Sequence, residues 1–197
     1  MNDNAKTNAE NNIDLYSNVN KTNNVKKTNN TDAGPLLPLT EVPLTDSEIL
    51  VKSIYYPDGV AVEKSKILEF VKPILGFNDL KKYCILNINK EKNLPFFILQ
   101  SIENDKLCFI VADPNYFFKD YSAGITEEDK ELIGLKDKTD AVVFVIVTVF
   151  KDLYSSTVNL KAPIIINVKS RKAMQTVLNN DLYDVKQKLP ISNDKSS

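Results

Sequence analysis

Few residues in this sequence are equipped for catalysis. Histidine is absent from all 197 positions, which removes the commonest general base, the usual partner of a Ser or Cys nucleophile, and the commonest transition-metal ligand. Cys84 and Cys108 lie in apolar, strand-like surroundings and form no Cys-x-x-Cys pair. They read as reduced, buried thiols in a cytosol, not as a disulfide framework or zinc site. Asp113 with a nearby carboxylate is the remaining candidate for acid–base work, which would need two buried acids in one cleft. Glycine is scarce, five in all, and no phosphate-cradling loop, dinucleotide fingerprint or nucleophile elbow occurs. The expectation is a protein with no catalytic, metal-binding or cofactor-binding residues and no cofactor.

Binding is the chemistry that the remaining residues offer. Pro114-Asn115-Tyr116-Phe117-Phe118-Lys119-Asp120-Tyr121 packs four aromatics into an expected loop, and aromatic anchors dominate interface energies. They serve either core packing or partner contact, with Tyr116 and Tyr121 expected to turn their polar tips outward. Asn159, Asn167, Gln100 and Gln175 are amides within apolar strands. They either satisfy backbone groups freed by a bulge or form a polar site on an exposed sheet edge that captures a peptide by strand addition. Thr126 before Glu127, Glu128 and Asp129 is an N-cap with carboxylates where the helix dipole favours them. That acidic turn is ordinary helix-start chemistry or a surface for a basic partner. Tyr116, Phe118, Tyr121, Asn159, Asn167, Gln175, Glu127 and Glu128 are therefore the partner-binding candidates.

A mainly β scaffold is expected to position them. Ala141 to Phe150 is a run of β-branched and aromatic residues, too short for the roughly 20 apolar residues of a membrane helix and read as a buried strand. A polar loop, Lys151 to Ser156, returns it antiparallel as a second limb ending at Asn167. Pro163 inside that limb cannot donate a ladder hydrogen bond and predicts a bulge or an edge. Further strands are expected at Ile49–Ile54, Val60–Val62, Ile67–Phe70, Tyr83–Ile88, Phe96–Ile102, Leu107–Ala112 and Ala173–Leu178, with Tyr56-Pro57-Asp58-Gly59 as a turn. Short strands at regular spacing argue for an all-β sandwich or barrel. One short helix interrupts them, beginning at Thr126 and ending at Gly134 in a left-handed conformation.

Residues 1–45 are expected to be a disordered Asn-rich tail and a Pro/Leu linker, because scattered Ile13, Leu15, Tyr16 and Val25 supply too little apolar surface to offset ordering entropy. The domain is expected over 46–190 and a polar tail over 191–197. Acidic and basic residues nearly balance, 26 against 25, which gives no field to draw in nucleic acid. No apolar h-region follows Met1 and no stretch is long enough to cross a bilayer. A cytoplasmic protein with no membrane or direct nucleic-acid partner, monomeric when free, is expected. The alternative is a small β-barrel module for single-stranded nucleic acid.

Several spaced residues resemble one family. Gly76-Phe77-x-Asp79-Leu80, Pro95-Phe96 leading to Leu99-Gln100-Ser101, Asp113-Pro114 with Phe118 and Asp120-Tyr121, Asn159-Leu160-x-Ala162-Pro163-Ile164 with Asn167, and Gln175 together resemble the FliW flagellar assembly factors. Their order and spacing run from about Ile49 to Leu189. The resemblance implies a small closed β-barrel-like domain capped by a short helix and without catalysis. It also implies two partners: unexported flagellin and CsrA, the RNA-binding repressor of flagellin translation. Pro73 near the family's usual glycine, and Leu75 at its usual proline, depart from the pattern before Gly76-Phe77.

Overall fold

A computed structural model describes residues 44–88, 95–151 and 155–191. The expected N-terminal tail and linker up to Pro43, and residues 192–197 of the expected C-terminal tail, lie outside the described residues. The strands are β1 (Glu48–Ser53), β2 (Tyr56–Glu63), β3 (Leu68–Lys72), β4 (Lys82–Asn87), β5 (Phe96–Ser101), β6 (Cys108–Ala112), β7 (Ala141–Thr148), β8 (Thr157–Val158), β9 (Ile164–Asn167), β10 (Lys172–Gln175) and β11 (Gln187–Lys188). Among the described residues two α-helices join them, α1 (Pro114–Phe117) and α2 (Glu127–Ile133).

Seven strands close a barrel in the order β7-β6-β5-β4-β3-β10-β9, with β9 returning to β7. Every neighbour in that ring is antiparallel except β3 and β10. The expected closed barrel with a short capping helix is what the chain forms. Closure leaves no free edge on these strands where each ladder is complete.

Alternation along the strands fills the interior. Phe70, Tyr83, Ile85, Leu99, Val111, Val142, Phe144, Ile164 and Ile166 form one buried cluster, drawn from every second residue of their strands, as the pleat requires. The intervening residues are also apolar because three covers pack on the outside. Hairpin β1–β2 sets Val51, Val60 and Val62 over Cys84, Leu86 and Ile98. Helix α2 sets Ile133, with Leu135 beyond it, over Ala141, Ile165 and Met174. The chain around Tyr121, Leu160, Leu178 and Leu189 packs on Ala112, Val145 and Val147. Strands buried on both faces must read as continuous apolar runs, which is why Ala141–Val147 and Ile164–Ile166 show no polar alternation.

The long hairpin of the sequence becomes two ladders. β7 pairs with β9 from Ala141↔Asn167 to Phe144↔Ile164, then with β8 at Val147↔Val158 and Thr148↔Thr157. Between the ladders the returning limb carries the extra residues Asn159 to Pro163, so Pro163 falls at a bulge, one of the two expected outcomes.

Three local expectations are corrected. Tyr56-Pro57-Asp58-Gly59 is not the hairpin turn: the chain reverses at Ile54-Tyr55, where Ser53 pairs with Tyr56. Val51 pairs with Val60, so Lys52 stands opposite Pro57, Asp58 and Gly59, which form a bulge inside β2. The positive φ that Gly supplies, 86° at Gly59, is used there instead. The aromatic stretch expected as a loop opens with the single helical turn α1. The last expected strand stops at Gln175, short of Leu178. Beyond it lies β11, a two-residue strand too short to show any period.

Gly59→Ala tests the bulge. A Cβ there would sit 2.8 Å from the Leu50 side chain, on a backbone with positive φ. The substitution is expected to lower unfolding free energy by about 1–2 kcal/mol, read as a fall in the urea midpoint. An unchanged midpoint would place Gly59 outside a strained bulge.

Candidate functional site

The bulge is held by side-chain amides. Asn159 Oδ1 accepts from Ala162 N at 3.0 Å, replacing a backbone partner that the broken ladder no longer provides. Gln175 crosses from β10: its Nε2 donates to Ala162 O at 3.0 Å and its Oε1 accepts from Leu75 N at 2.9 Å. Leu75 therefore contributes an N–H that proline lacks. It sits in a turn closed by Phe77 N donating to Ile74 O, with Gly76 at φ 87°.

Asn167 ties helix to barrel. Its Nδ2 donates to the carbonyls of Ile133 and Gly134, each at 3.0 Å, and its Oδ1 accepts from Lys169 N and Ser170 N. Orphan carbonyls at the end of α2 are thereby satisfied. Gln100 Nε2 similarly donates to Ser101 O and Leu107 O across the β5–β6 turn. All four amides are engaged within the chain. The edge expected along the second limb is absent, since β9 lies between β7 and β10, and β8 between β7 and β11.

The aromatic stretch divides by direction. Asp113 Oδ1 caps α1 by accepting from Asn115 N at 2.9 Å, with Pro114 in the first helical position. Tyr116 is 68% exposed, as expected. Phe117 packs on Phe96, and Phe118 is half-buried in the same cluster. Tyr121 reverses its expectation: its hydroxyl points inward and donates to Leu160 O at 2.8 Å. Burial, reinforced by neighbouring Tyr183, pushes that hydroxyl's pKa up. The ring lies 4.7 Å from Tyr183, a packing partner that the sequence reading did not single out.

On α2, Thr126 Oγ1 accepts from Asp129 N at 3.1 Å, and Gly134 ends the helix at φ 67°. Glu127 and Glu128 are exposed. Asp129 turns inward, pairing with Lys72 Nζ at 3.0 Å and accepting from Thr176 Oγ1 at 3.4 Å. It is the one buried carboxylate among the described residues, and Asp113 serves as a helix cap, so the described residues bring no two buried acids together. Among them no group of three or more His, Cys, Asp or Glu is placed to hold a metal. Cys84 is a buried free thiol that burial pushes up to about 12, and Cys108 is free and half-buried. A low-pKa nucleophile is the opposite of this.

The opening that sequence reasoning missed lies between β6 and β7. Their ladder consists of Val111↔Ile146 and Ala112↔Val145. Continuing the register would set Ile110 opposite Val147 and Cys108 opposite Val149, but the paired residues end at Val111↔Ile146, while the other edge of β7 pairs with β8. The resulting notch, about 440 Å³, is lined by residues that include Tyr55, Phe109, Ile110, Ile146, Val147 and Val149. Ile54, Tyr55, Val149 and Phe150 stand exposed, Tyr55 and Val149 in the notch itself and Ile54 and Phe150 next to them in sequence. The one signal in the sequence was that the apolar run reaches Phe150, two residues past the end of β7. The candidates of the sequence reading thus fall into separate places: Tyr116 exposed on α1, Phe118 and Tyr121 in the packing beside β7, Asn159 and Gln175 at the bulge, Asn167 on β9 against the end of α2, and Glu127 and Glu128 in the first turn of α2.

These features define a small closed-barrel protein, covered on part of its outer wall by a short helix, whose described residues present an apolar notch. Among the described residues no helix is long and apolar enough to cross a membrane. A family model described as FliW protein matches residues 56–189, and the chain belongs to the FliW family. It is similar to the "Flagellar assembly factor FliW" of Natranaerobius thermophilus, 39% identical over 139 residues, 70% of this chain and 89% of that relative. The Bacillus pumilus protein of the same name is 36% identical over 137 residues, 70% and 94% of the two chains. A crystal structure of the flagellar assembly factor FliW superposes with a TM-score of 0.65 at 29% identity, covering 74% of this chain and 99% of that one.

Asp129→Asn tests the bond between helix and barrel. Burial opposes ionisation of Asp129, but hydrogen bonds from Lys72 and Thr126 outweigh it and hold the carboxyl below its ordinary value. A folded pKa below the unfolded one contributes stability above the unfolded value, about 3.9, which is lost as pH falls through the folded value. The variant is expected to lose about 1 kcal/mol at pH 7 and to show a shallower fall in urea stability between pH 5 and pH 2. Parallel pH profiles for both proteins would remove Asp129 from that role.

Proposed function

We propose that this chain is a cytoplasmic flagellar assembly factor that binds unexported flagellin and, when free of it, binds CsrA and relieves repression of flagellin synthesis. Membership of the FliW family carries the reading. Its mechanism is partner exchange without catalysis. While flagellin accumulates it occupies the factor; after export the freed factor takes up CsrA, and CsrA leaves the flagellin messenger.

The architecture suits such exchange. A barrel tied by internal amides holds its surface in one conformation, which limits the ordering entropy that binding must offset. Flagellin and CsrA compete if their sites overlap or are coupled. Where CsrA is bound away from its RNA surface, linkage requires RNA to weaken factor binding by the same factor. A near-complete switch takes about 5.5 kcal/mol of difference between the two states. Tyr116, whose ring is exposed next to the packed Phe117, and the outward Glu127, paired with Lys130, and Glu128 are the sequence candidates at the surface.

Calorimetric titration with monomeric flagellin and with CsrA tests this. Saturable binding to each is expected, with flagellin blocking CsrA; binding to neither would overturn the reading. Tyr116→Ala, at an exposed ring, is expected to weaken one partner about tenfold, or about 1.4 kcal/mol. Unchanged affinity for both in the folded variant would exclude Tyr116 as an anchor.

A further inference from the structure

Apolar side chains gather around the β6–β7 notch without being covered by the fold. Ile54, Tyr55, Val149 and Phe150 are between 49% and 62% exposed. Tyr55 and Val149 line the notch, and Ile54 and Phe150 adjoin them in the chain. Exposed apolar residues scattered singly need no explanation, whereas a cluster set against an apolar recess marks a binding face.

The hairpin side of this face is held in place. Val51 and Ser53, just before the tip of β1–β2, are buried, Val51 in the packing against the barrel wall. Tyr56, just after the tip, donates its hydroxyl hydrogen to Asn87 O on β4. Ile54 and Tyr55 therefore stand between two anchors, and little backbone freedom is left for them to lose on binding.

We propose that this face pairs with the same face of a second copy of the chain, in a two-fold dimer in which Phe150 of each copy enters the notch of the other. Three observations select a second copy. The first is shape. A two-fold interface uses one patch on both subunits, so that patch must contain both halves of the contact. Here the exposed Phe150 ring stands next to Val149, on the rim of an apolar recess of about 440 Å³ that can admit such a ring. The second is area. The four side chains and the notch walls offer on the order of 500 Å² per copy, judged from the size of such side chains. Two faces would then bury roughly 1,000 Å², the lower bound for a specific interface. The third is charge. The chain has a net charge of −1, so two copies approach without appreciable repulsion. The margin of the face carries both signs: Lys151 follows Phe150, and Lys52 stands opposite Asp58 in the hairpin, all three exposed.

An interface of that size holds a weak dimer, dissociating at about 10–100 µM, in place of the monomer expected from the sequence. Any partner that takes the same notch would have to separate the two copies.

Sedimentation equilibrium of the full chain, from about one tenth to about ten times that concentration, decides it. A monomer–dimer equilibrium is expected. Phe150→Asp places a carboxylate at the centre of the apolar contact, at an exposed position past the end of β7, and is expected to raise the dissociation constant at least about tenfold. Tyr55→Ser, on the separate hairpin, is expected to do the same with an unchanged urea midpoint. In the unaltered protein, amide chemical shifts that move with concentration are expected at Ile54–Tyr55 and Val149–Phe150. A chain that stays monomeric across the range would overturn the proposal, as would a dimer that both folded variants leave intact or one whose shifts lie on other surfaces. A monomer in which Phe150→Asp weakens binding of flagellin or CsrA would assign the notch to that partner and overturn the second-copy assignment.

Discussion

Strand β7 must satisfy neighbours on both edges and bury both faces, and the rest of the barrel depends on its doing so. One edge is served by β9 over Ala141–Phe144 and then by β8 at Val147–Thr148, while the opposite edge meets β6 at Val145 and Ile146. A single continuous limb cannot stay in register with β7 and also supply the strand that reaches β10. The bulge between β8 and β9 resolves the conflict by inserting chain where the ladder is interrupted. Proline is tolerated at Pro163 because no ladder hydrogen bond is asked of it.

An interrupted ladder leaves buried backbone groups without their normal partners, and the amides take their place. Asn159 and Gln175 serve the two polar groups of Ala162, and Gln175 also holds Leu75. Asn167 does the same for the carbonyls at the end of α2. Leaving any of these groups unpaired in the interior would cost about 1–3 kcal/mol. The amides therefore join the barrel, its turn at Gly76 and its outer helix into one unit.

That unit includes the seam between β6 and β7. The β6–β7 ladder is short, Val111↔Ile146 and Ala112↔Val145, while the other edge of β7 runs on into its pairing with β8. In a FliW-family protein whose described residues lack a catalytic cluster, this seam carries an apolar notch lined by Tyr55, Phe109, Ile146 and Val149.

Much of this was legible in local chemistry. The run from Ala141 marked the central strand, Thr126 and Gly134 bounded α2, Pro163 marked the bulge, and the ordered motifs from Gly76 to Gln175 resembled the right family. These features depend on residues within a few positions of one another, where backbone preference and period act directly. Long-range pairing decided the rest. Pro57-Asp58-Gly59 has turn chemistry, yet pairing of Val51 with Val60 and Ser53 with Tyr56 made it a bulge. Tyr121 turned inward because Leu160, far along the chain, offers a carbonyl at its hydroxyl. The β6–β7 notch left only one local trace, the apolar run continuing to Phe150, because a strand's sequence sets what it can bury but only its neighbours set how far each ladder extends.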